Sequence, residues 1–161
     1  MIGYLKARKI PLNIAKQYLK EVTFNQRGKT LFALGLENHL GGWELRNKFQ
    51  KTTSSPKSYT WLKRDKTRLI ITEGMFDLLS LTTMSPILVY ESDIMVLNSI
   101  AFLKDIQNLL QNYDSVLLYL DNDNAGRTAV LSLRNQFNQI IDCSSEYKGF
   151  KDLNEKLLSW N

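Results

Sequence analysis

The stretch LLYLDNDNAGRTA, residues 117–129, places a run of mostly apolar residues directly before four alternating Asp and Asn residues. The apolar run predicts a buried strand over 115–120, and the residues that follow have the period of a helix, predicted over 125–137. Asp121 and Asp123 therefore stand where the strand ends and the helix begins. Carboxylates in this position either cap the helix or bind something positively charged.

The chain from residue 68 onward repeats this alternation of short apolar runs and helical patterns. Strands are predicted at RLIIT (68–72), PILVY (86–90), IMVL (94–97) and QIIDC (139–143), and helices at MFDLLSLTTM (75–84), AFLKDIQNLLQNY (101–113) and KDLNEKLLSW (151–160). Strands that are apolar on both faces and alternate with helices predict a mainly parallel sheet that is covered on both sides. The predicted fold class is therefore α/β.

The first part of the chain has a different pattern. Two short amphipathic helices are predicted near 3–8 and 12–21, and the sequence over 22–62 is rich in β-forming residues with Gly-containing turns. This predicts a small, mostly antiparallel β unit. We divide the chain into a basic N-terminal α+β lobe, residues 1–66, and an α/β domain, residues 67–161.

The composition limits the kinds of site that this chain can form. Of 161 residues, one is a cysteine, Cys143, and one is a histidine, His39. This excludes an internal disulfide framework and a Cys/His zinc site built by this chain alone, so a metal ion would be bound through oxygen. No apolar run approaches the ~20 residues that cross a bilayer, and the start has no apolar core of signal-peptide length. A cytoplasmic protein without membrane contact is expected.

Charge is unevenly distributed along the chain. Residues 1–68 carry 15 Lys and Arg against four Asp and Glu, whereas residues 69–161 carry six Lys and Arg against 12 Asp and Glu. A basic part joined to an acidic part suggests that a polyanion is held beside a cation site. The alternative is that the basic stretches are solvated surface.

Carboxylates follow three of the predicted strands. Glu73 follows the strand at 68–72, Asp121 and Asp123 follow the strand at 115–120, and Asp152 comes after the last strand across a short loop. Binding sites in parallel sheets form outside the carboxyl ends of the strands, so these side chains are expected at one edge. Each also has a structural interpretation, as a helix cap or a strand-end residue, but their joint placement favours a Mg²⁺ site.

At these residues the sequence resembles the Toprim domain, which is shared by bacterial-type primases, type IA and type II topoisomerases and some nucleases. The family pattern is a Glu-Gly after the first strand, an Asp-x-Asp after the third and a later acidic element. The corresponding segments are ITEGMFDLLSL with Glu73 and Gly74, LYLDNDNAGRTA with Asp121 and Asp123, and GFKDLNEKL with Lys151, Asp152 and Glu155.

The particular form of the motifs is similar to that of bacterial primase catalytic cores and their relatives on mobile elements. Asp-x-Asp followed by Ala-Gly-Arg is the primase-like form, and the basic first half loosely resembles the primase N-terminal lobe. In the last element, Leu153 replaces a proline and Asn154 replaces a second aspartate of the primase pattern. A topoisomerase would need a further domain with a nucleophilic tyrosine, for which this chain has no room.

The resemblance implies a Toprim-like, mainly parallel central sheet flanked by helices, with a small N-terminal lobe. It implies Mg²⁺-dependent RNA primer synthesis on single-stranded DNA from nucleoside triphosphates, for a mobile element or plasmid, with Mn²⁺ able to substitute. A zinc-binding module or a helicase on a longer chain would be a partner. Two rival functions fit the same residues: a Toprim nuclease, and a non-catalytic nucleic-acid-binding module, which Asn154 and the missing zinc module favour.

The resemblance also implies roles for individual residues. Catalysis is assigned to Glu73, Asp121 and Asp123, and metal binding to these three together with Asp152. Phosphate contacts, or plain surface charge, are assigned to Lys151 and Arg127. Template backbone contacts are assigned to Arg46, Lys48, Lys51 and Lys57, and Trp43, Phe49, Tyr59 and Trp61 either stack on bases or are buried in the β unit.

Overall fold

Two β-sheets form the framework of the computed structural model, which describes residues 1–160. The strands are β1 (Lys20–Gln26), β2 (Lys29–Glu37), β3 (Trp43–Arg46), β4 (Lys51–Thr53), β5 (Thr60–Leu62), β6 (Arg68–Thr72), β7 (Asp93–Val96), β8 (Ser115–Tyr119) and β9 (Ile140–Asp142). The helices are α1 (Ile2–Ala7), α2 (Leu12–Tyr18), α3 (Met75–Met84), α4 (Pro86–Tyr90), α5 (Leu103–Leu110), α6 (Asn124–Gln136) and α7 (Leu153–Ser159). Two 3₁₀ turns cover Ile100–Phe102 and Ser144–Tyr147.

The first sheet is antiparallel, with the strand order β1-β2-β3-β4. The hairpin between β1 and β2 turns at Arg27 and Gly28, which both have positive φ, 50° and 74°. Two consecutive residues with positive φ make the type of two-residue turn whose twist matches that of antiparallel strands. The antiparallel β unit predicted for this part of the chain is therefore present over β1 to β4.

The second sheet has the order β5-β7-β6-β8-β9, in which β7, β6, β8 and β9 are parallel. The predicted mainly parallel sheet flanked by helices is confirmed. Strand β5 differs from expectation, because it pairs antiparallel with β7 and not with the first sheet. The predicted antiparallel unit over 22–62 was therefore too long by one strand, and the division of the chain between 66 and 67 stays a prediction.

The segment PILVY, predicted as a strand, is helix α4. Pro86 occupies the first helical position, where its missing N–H and fixed φ favour a helix. Val89 is fully buried whereas Ile87 is 72% exposed, so the segment packs through one helical side. A run of five apolar residues does not distinguish a strand from a buried helix by its pattern alone, which is why the prediction was wrong.

Two apolar clusters cover the two faces of the parallel sheet. Alternate residues of β6 divide between them: Leu69 and Ile71 face α5 and α6, and Ile70 faces α3, α4 and α7. The cluster around Ile70 also contains Leu5 of α1 and Leu36 of β2, so the N-terminal segment packs on that face. This packing holds strands β3 and β4 beside the carboxyl end of the parallel sheet. Within residues 1–160, no helix combines the length and apolarity that spanning a bilayer would require.

Candidate metal centre and adjacent basic cavity

Three aspartates converge at the carboxyl end of the parallel sheet. Asp77, Asp121 and Asp152 each have a carboxylate oxygen within 4.8 Å of the others. Their segments meet because β6 and β8 are hydrogen-bonded parallel neighbours, with Thr72 opposite Tyr119. The structure thus brings together Asp121 and Asp152, as expected from the strand-end rule, and adds a third carboxylate.

Asp77 is the member of this group that the sequence did not indicate. It lies in the first turn of α3, is buried, and its Oδ2 accepts the backbone N–H of Gly74 at 3.0 Å. Burial, and then the charges of Asp152 and Asp121, raise the pKa of Asp77 well above its ordinary value. The available signal was a carboxylate three residues after Gly74, the spacing of a residue that caps the start of a helix.

Glu73 lies next to the three aspartates. Its Oε2 accepts the backbone N–H of Asp121 at 3.3 Å, and its side chain lines a cavity together with the three aspartates. Burial, and then the charge of Asp121, raise the pKa of the Glu73 carboxyl. Asp121 is also half-buried, and burial raises its pKa although the nearby Lys151 opposes this. A divalent cation bound between these side chains would offset the repulsion between their carboxylates and favour their ionised forms.

Asp123 is placed differently from the other predicted ligands. Its Oδ1 accepts the backbone N–H groups of Ala125 at 2.9 Å and Gly126 at 3.0 Å, so it caps α6. It does not belong to the group of three converging carboxylates. Asp152 also caps a helix, α7, by accepting the N–H of Glu155 at 2.8 Å, yet it converges with the others. The metal-binding role of Asp123 stays a prediction.

The two predicted phosphate-binding cations occupy different places. Lys151 Nζ lies 3.2 Å from Asp121 Oδ2, and this hydrogen bond raises the pKa of Lys151. Arg127 donates to the carbonyl oxygen of Asn122 at 2.6 Å and to Asn124 Oδ1 at 2.8 Å. Lys151 therefore forms an ion pair with one of the clustered carboxylates, whereas Arg127 is hydrogen-bonded to residues at the start of its own helix.

A cavity of about 600 Å³ lies between the carboxylates and the first sheet. The side opposite the aspartates is basic. It is lined by Arg46 of β3, Lys48 of the following turn and Lys51 of β4. Lys57 is exposed in the next loop and does not line this cavity. Anionic and cationic walls facing each other suit a phosphate-containing substrate that is bound together with a cation.

Arg46 differs from the two lysines in its environment. Its Nη1 lies 3.2 Å from Glu44 Oε2, and the two side chains are only 12% and 4% exposed. Burial raises the pKa of Glu44, and the charge and hydrogen bond of Arg46 are the main effects that oppose this. Arg46 therefore stabilises a buried carboxylate as well as lining the cavity.

Arg8 is a further cation on the cavity wall that the sequence did not indicate. Its guanidinium lies 4.8 Å from the ring centroid of Phe76 and 5.6 Å from that of Tyr4. Its Nη1 donates to Asn154 Oδ1 at 3.0 Å, across 146 positions of sequence. No local pattern in the first ten residues could reveal this contact.

Asn154, at the position where the primase pattern has a second aspartate, is 2% exposed and has partners on two elements. Besides accepting from Arg8, its Nδ2 donates to the Arg8 carbonyl oxygen and to Ser80 Oγ, both at 3.0 Å. The residue thus joins α7 to α3 and to the segment after α1. These hydrogen bonds therefore stabilise the packing of the three segments against one another.

Comparison with known proteins agrees with this geometry. The model of a Toprim-like family matches residues 70–157, and the model of a domain of unknown function matches residues 1–55. The match to the Toprim-like model covers more than half of the chain, so the chain belongs to the Toprim-like family. No curated protein sequence matches the chain.

Solved structures of primases share its fold. The primase fragment of the bacteriophage T7 primase-helicase protein has a TM-score of 0.71 at 19% identity, covering 96% of this chain and 68% of that one. The T7 primase domains solved with lagging-strand DNA polymerase, an RNA/DNA hybrid and dTTP give 0.70 at 19% identity, covering 96% and 83%. The zinc-binding and RNA polymerase domains of Aquifex aeolicus primase give 0.58 at 17%, covering 81% and 45%. The resemblance to primase-type Toprim cores is therefore confirmed at the level of the fold.

Proposed function

We propose that this chain is a primase-like nucleotidyltransferase core that synthesises RNA primers on single-stranded DNA. The observation that carries the proposal is the cavity in which the converging Asp77, Asp121 and Asp152 face the basic residues of the first sheet. The carboxylates suit a divalent cation with a triphosphate, and the basic wall suits a template strand. The fold shared with the T7 and Aquifex primases supports this assignment.

The residues present fit Mg²⁺, with Mn²⁺ as a substitute. The converging donors are carboxylate oxygens, the ligands that hard divalent cations prefer, and Mg²⁺ is commonly bound by one or two carboxylates together with substrate phosphates. Asp121 and Asp152 would hold the ion, with Asp77 beside them and Glu73 and Asp123 as further candidates. When bound, the ion would neutralise charge on the phosphates during transfer.

The chain's own residues would position the other reactants. A primer 3′-hydroxyl would attack the α-phosphate of a nucleoside triphosphate, the bond to pyrophosphate would break, and Glu73 would accept the hydroxyl proton at Oε1 or Oε2. Burial and the charge of Asp121 raise the pKa of Glu73, which makes its carboxylate a stronger proton acceptor than an ordinary glutamate. Lys151 would leave Asp121 to contact the triphosphate, a role for which Arg127 is a second candidate. Lys48 and Lys51, with Arg46 and Lys57, would contact the template backbone.

The wider setting follows from the same proposal. Residues 1–66 would form the template-binding lobe and residues 67–161 the metal-binding domain. The T7 relative is part of a primase-helicase protein, and the Aquifex relative carries a zinc-binding domain, so a helicase or a zinc-binding module is the partner we propose. A cytoplasmic replication protein of a mobile element or plasmid fits this setting.

A non-catalytic nucleic-acid-binding module is the second candidate. The observation that favours it is Asn154, which stands where the primase pattern has an aspartate and whose side chain is committed to Arg8 and Ser80. Such a module would bind the template and the cation without transferring a nucleotide.

The deciding experiment incubates the chain with single-stranded DNA, Mg²⁺ and labelled nucleoside triphosphates, and resolves the products on a gel. Short labelled RNA products that disappear in the Asp121→Asn variant are expected. Shortened template without RNA product would instead identify a Toprim nuclease. Template binding without either product would identify the binding module.

A further inference from the structure

A second cavity, mostly apolar, adjoins the one that contains the carboxylates. It has a volume of about 720 Å³, and Tyr4, Leu31, Phe32 and Phe49 contribute to its walls. Phe49 and Tyr4 line both cavities. Its size lies within the range of small-molecule binding pockets. The ridge that carries Phe49 therefore separates a polar cavity from an apolar one.

Phe49 is 89% exposed, the largest exposed fraction of any large apolar side chain that the structure describes. It is presented on a fixed turn, since Asn47 Oδ1 accepts the backbone N–H groups of Phe49 at 2.9 Å and Gln50 at 3.0 Å. Asn47 Nδ2 also donates to the carbonyl oxygen of Phe32 at 3.1 Å, which ties the turn to β2. Because the turn is fixed and the ring is exposed to solvent, one face of the Phe49 ring can stack against a ligand.

The charges beside this ring indicate the kind of ligand. Lys48 and Lys51 are exposed and line the neighbouring polar cavity, and no carboxylate among residues 1–160 lies within ion-pair distance of either. A polymer with a negative backbone and flat aromatic side groups matches an exposed ring with a lysine before it and another after it in the chain. Proteins that bind single-stranded nucleic acid use this combination of aromatic and basic residues.

We propose that Phe49 stacks on an unpaired base of single-stranded nucleic acid, which the apolar cavity receives while Lys48 and Lys51 contact the adjoining phosphates. This inference rests on the proposed function, because it places the template on the ridge next to the carboxylates. The base would lie in the apolar cavity, which Phe32 also lines, while the phosphates stay beside the polar cavity.

The test measures fluorescence anisotropy of a labelled oligothymidylate and of an oligomer of equal length whose sugars lack bases. We expect the wild-type chain to bind the oligothymidylate about tenfold more tightly, as a single stacked base would require. Phe49→Ala should bind both oligomers with the weaker affinity, and Phe49→Trp should restore the preference. Trp160→Ala is the matched control, because Trp160 is 46% exposed and lines neither cavity.

The outcomes separate this inference from the proposed function. Salt-dependent binding of both oligomers with equal affinity, or a preference that survives Phe49→Ala, would overturn the stacking role while leaving a template-binding cavity in place. Competition by thymidine triphosphate that is seen in the wild type and lost in Phe49→Ala would assign the apolar cavity to a free nucleotide and also overturn it. Failure of the wild-type chain to bind either oligomer would overturn the proposed function together with the inference.

Discussion

Asn154 and Arg8 exchange two hydrogen bonds of 3.0 Å, one in each direction, between α7 and the segment after α1. Asn154→Asp would replace the donating Nδ2 with an oxygen that faces the Arg8 carbonyl oxygen, and would add a carboxylate to the cavity wall. Leaving a buried acceptor unpaired costs about 1–3 kcal/mol, so we expect a loss of this size in the free energy of unfolding, measured by urea denaturation in EDTA.

The control for this change is Asn135→Asp, because Asn135 is exposed on α6. We expect the control to unfold at the wild-type urea concentration. If Asn154→Asp instead left stability unchanged and bound an additional Mn²⁺ ion in titration calorimetry, the position would be a metal-ligand site and not a structural one.

A pH effect is expected from Asp77. Because burial and the neighbouring aspartates raise its folded-state pKa, the folded chain retains a proton there at pH values at which the unfolded chain has lost it. In EDTA, stability should therefore fall as the pH rises from the ordinary carboxyl range through the raised pKa. Asp77→Asn should flatten this fall, because Asn stays neutral and still accepts the Gly74 N–H.

Melting temperatures in EDTA across this pH range, for wild type and Asp77→Asn, measure the effect. Some fall should remain in the variant, because the pKa values of Glu73 and Asp121 are raised as well. The matched control is Asp105→Asn, at an exposed position in the first turn of α5. Parallel wild-type and Asp77→Asn curves would show that Asp77 does not carry this pH dependence.

Asp121→Asn separates metal binding from folding. Burial is the main cause of the raised pKa of Asp121, so removing the charge should leave the melting temperature in EDTA equal or higher, while Mg²⁺-dependent activity is lost. The companion variant Asp123→Asn keeps an oxygen that can cap α6, so it should fold normally. Its Mn²⁺ affinity then tests the predicted ligand role of Asp123 directly.

An Asp121→Asn variant that melts lower than wild type in EDTA and keeps its Mg²⁺ response would contradict the metal-site assignment. Thermal melts with and without Mg²⁺ provide this comparison. Unchanged Mn²⁺ affinity in Asp123→Asn would restrict Asp123 to its helix-capping role, which the structure already shows.

Salt dependence tests the basic wall. Each phosphate contact with a single strand contributes roughly −0.7 to the slope of log affinity against log salt concentration, so Lys48→Ala with Lys51→Ala should reduce the magnitude of the slope by roughly 1.4. The two lysines are better targets than Arg46, whose removal would leave the buried Glu44 without its ion-pair partner. Binding of an oligothymidylate at several salt concentrations supplies the measurement.

Arg27→Ala with Lys29→Ala is the matched control, because this pair lies at the exposed end of the β1–β2 hairpin and lines neither cavity. An equal reduction of the slope in both double variants would show that the positive charge of this part of the chain acts diffusely and that no defined phosphate contacts exist.

The sequence predicted the parallel sheet because its strands are short apolar runs, and it predicted the convergence of Asp121 and Asp152 because strand ends share one edge. Asp77 was missed because its spacing after Gly74 indicates only a helix cap, and no local pattern places it beside Asp121 and Asp152. Strand β5 was misplaced because three residues do not specify a pairing partner. The contact between Arg8 and Asn154 depends on how distant elements pack, which no local pattern encodes.

Gly126, in the first turn of α6, lies against the backbone of Asp121. A Cβ at this position would lie 2.1 Å from the carbonyl oxygen of Asp121, a backbone atom that cannot swing aside. Gly126→Ala must therefore displace either the start of α6 or the Asp121 backbone, and overpacking of this severity should lower the free energy of unfolding by about 3 kcal/mol or more. The same displacement should weaken Mn²⁺ binding, because it moves a carboxylate of the cluster.

Gly3→Ala is the matched control, since Gly3 also lies in a helix and a Cβ there would meet no atom within 4 Å. Alanine is favoured over glycine inside helices by about 1 kcal/mol, so this control should be neutral or slightly stabilising. Urea denaturation and Mn²⁺ titration of both variants provide the comparison. If Gly126→Ala kept wild-type stability and Mn²⁺ affinity, the close approach of α6 to Asp121 would not be what holds this carboxylate in the cluster.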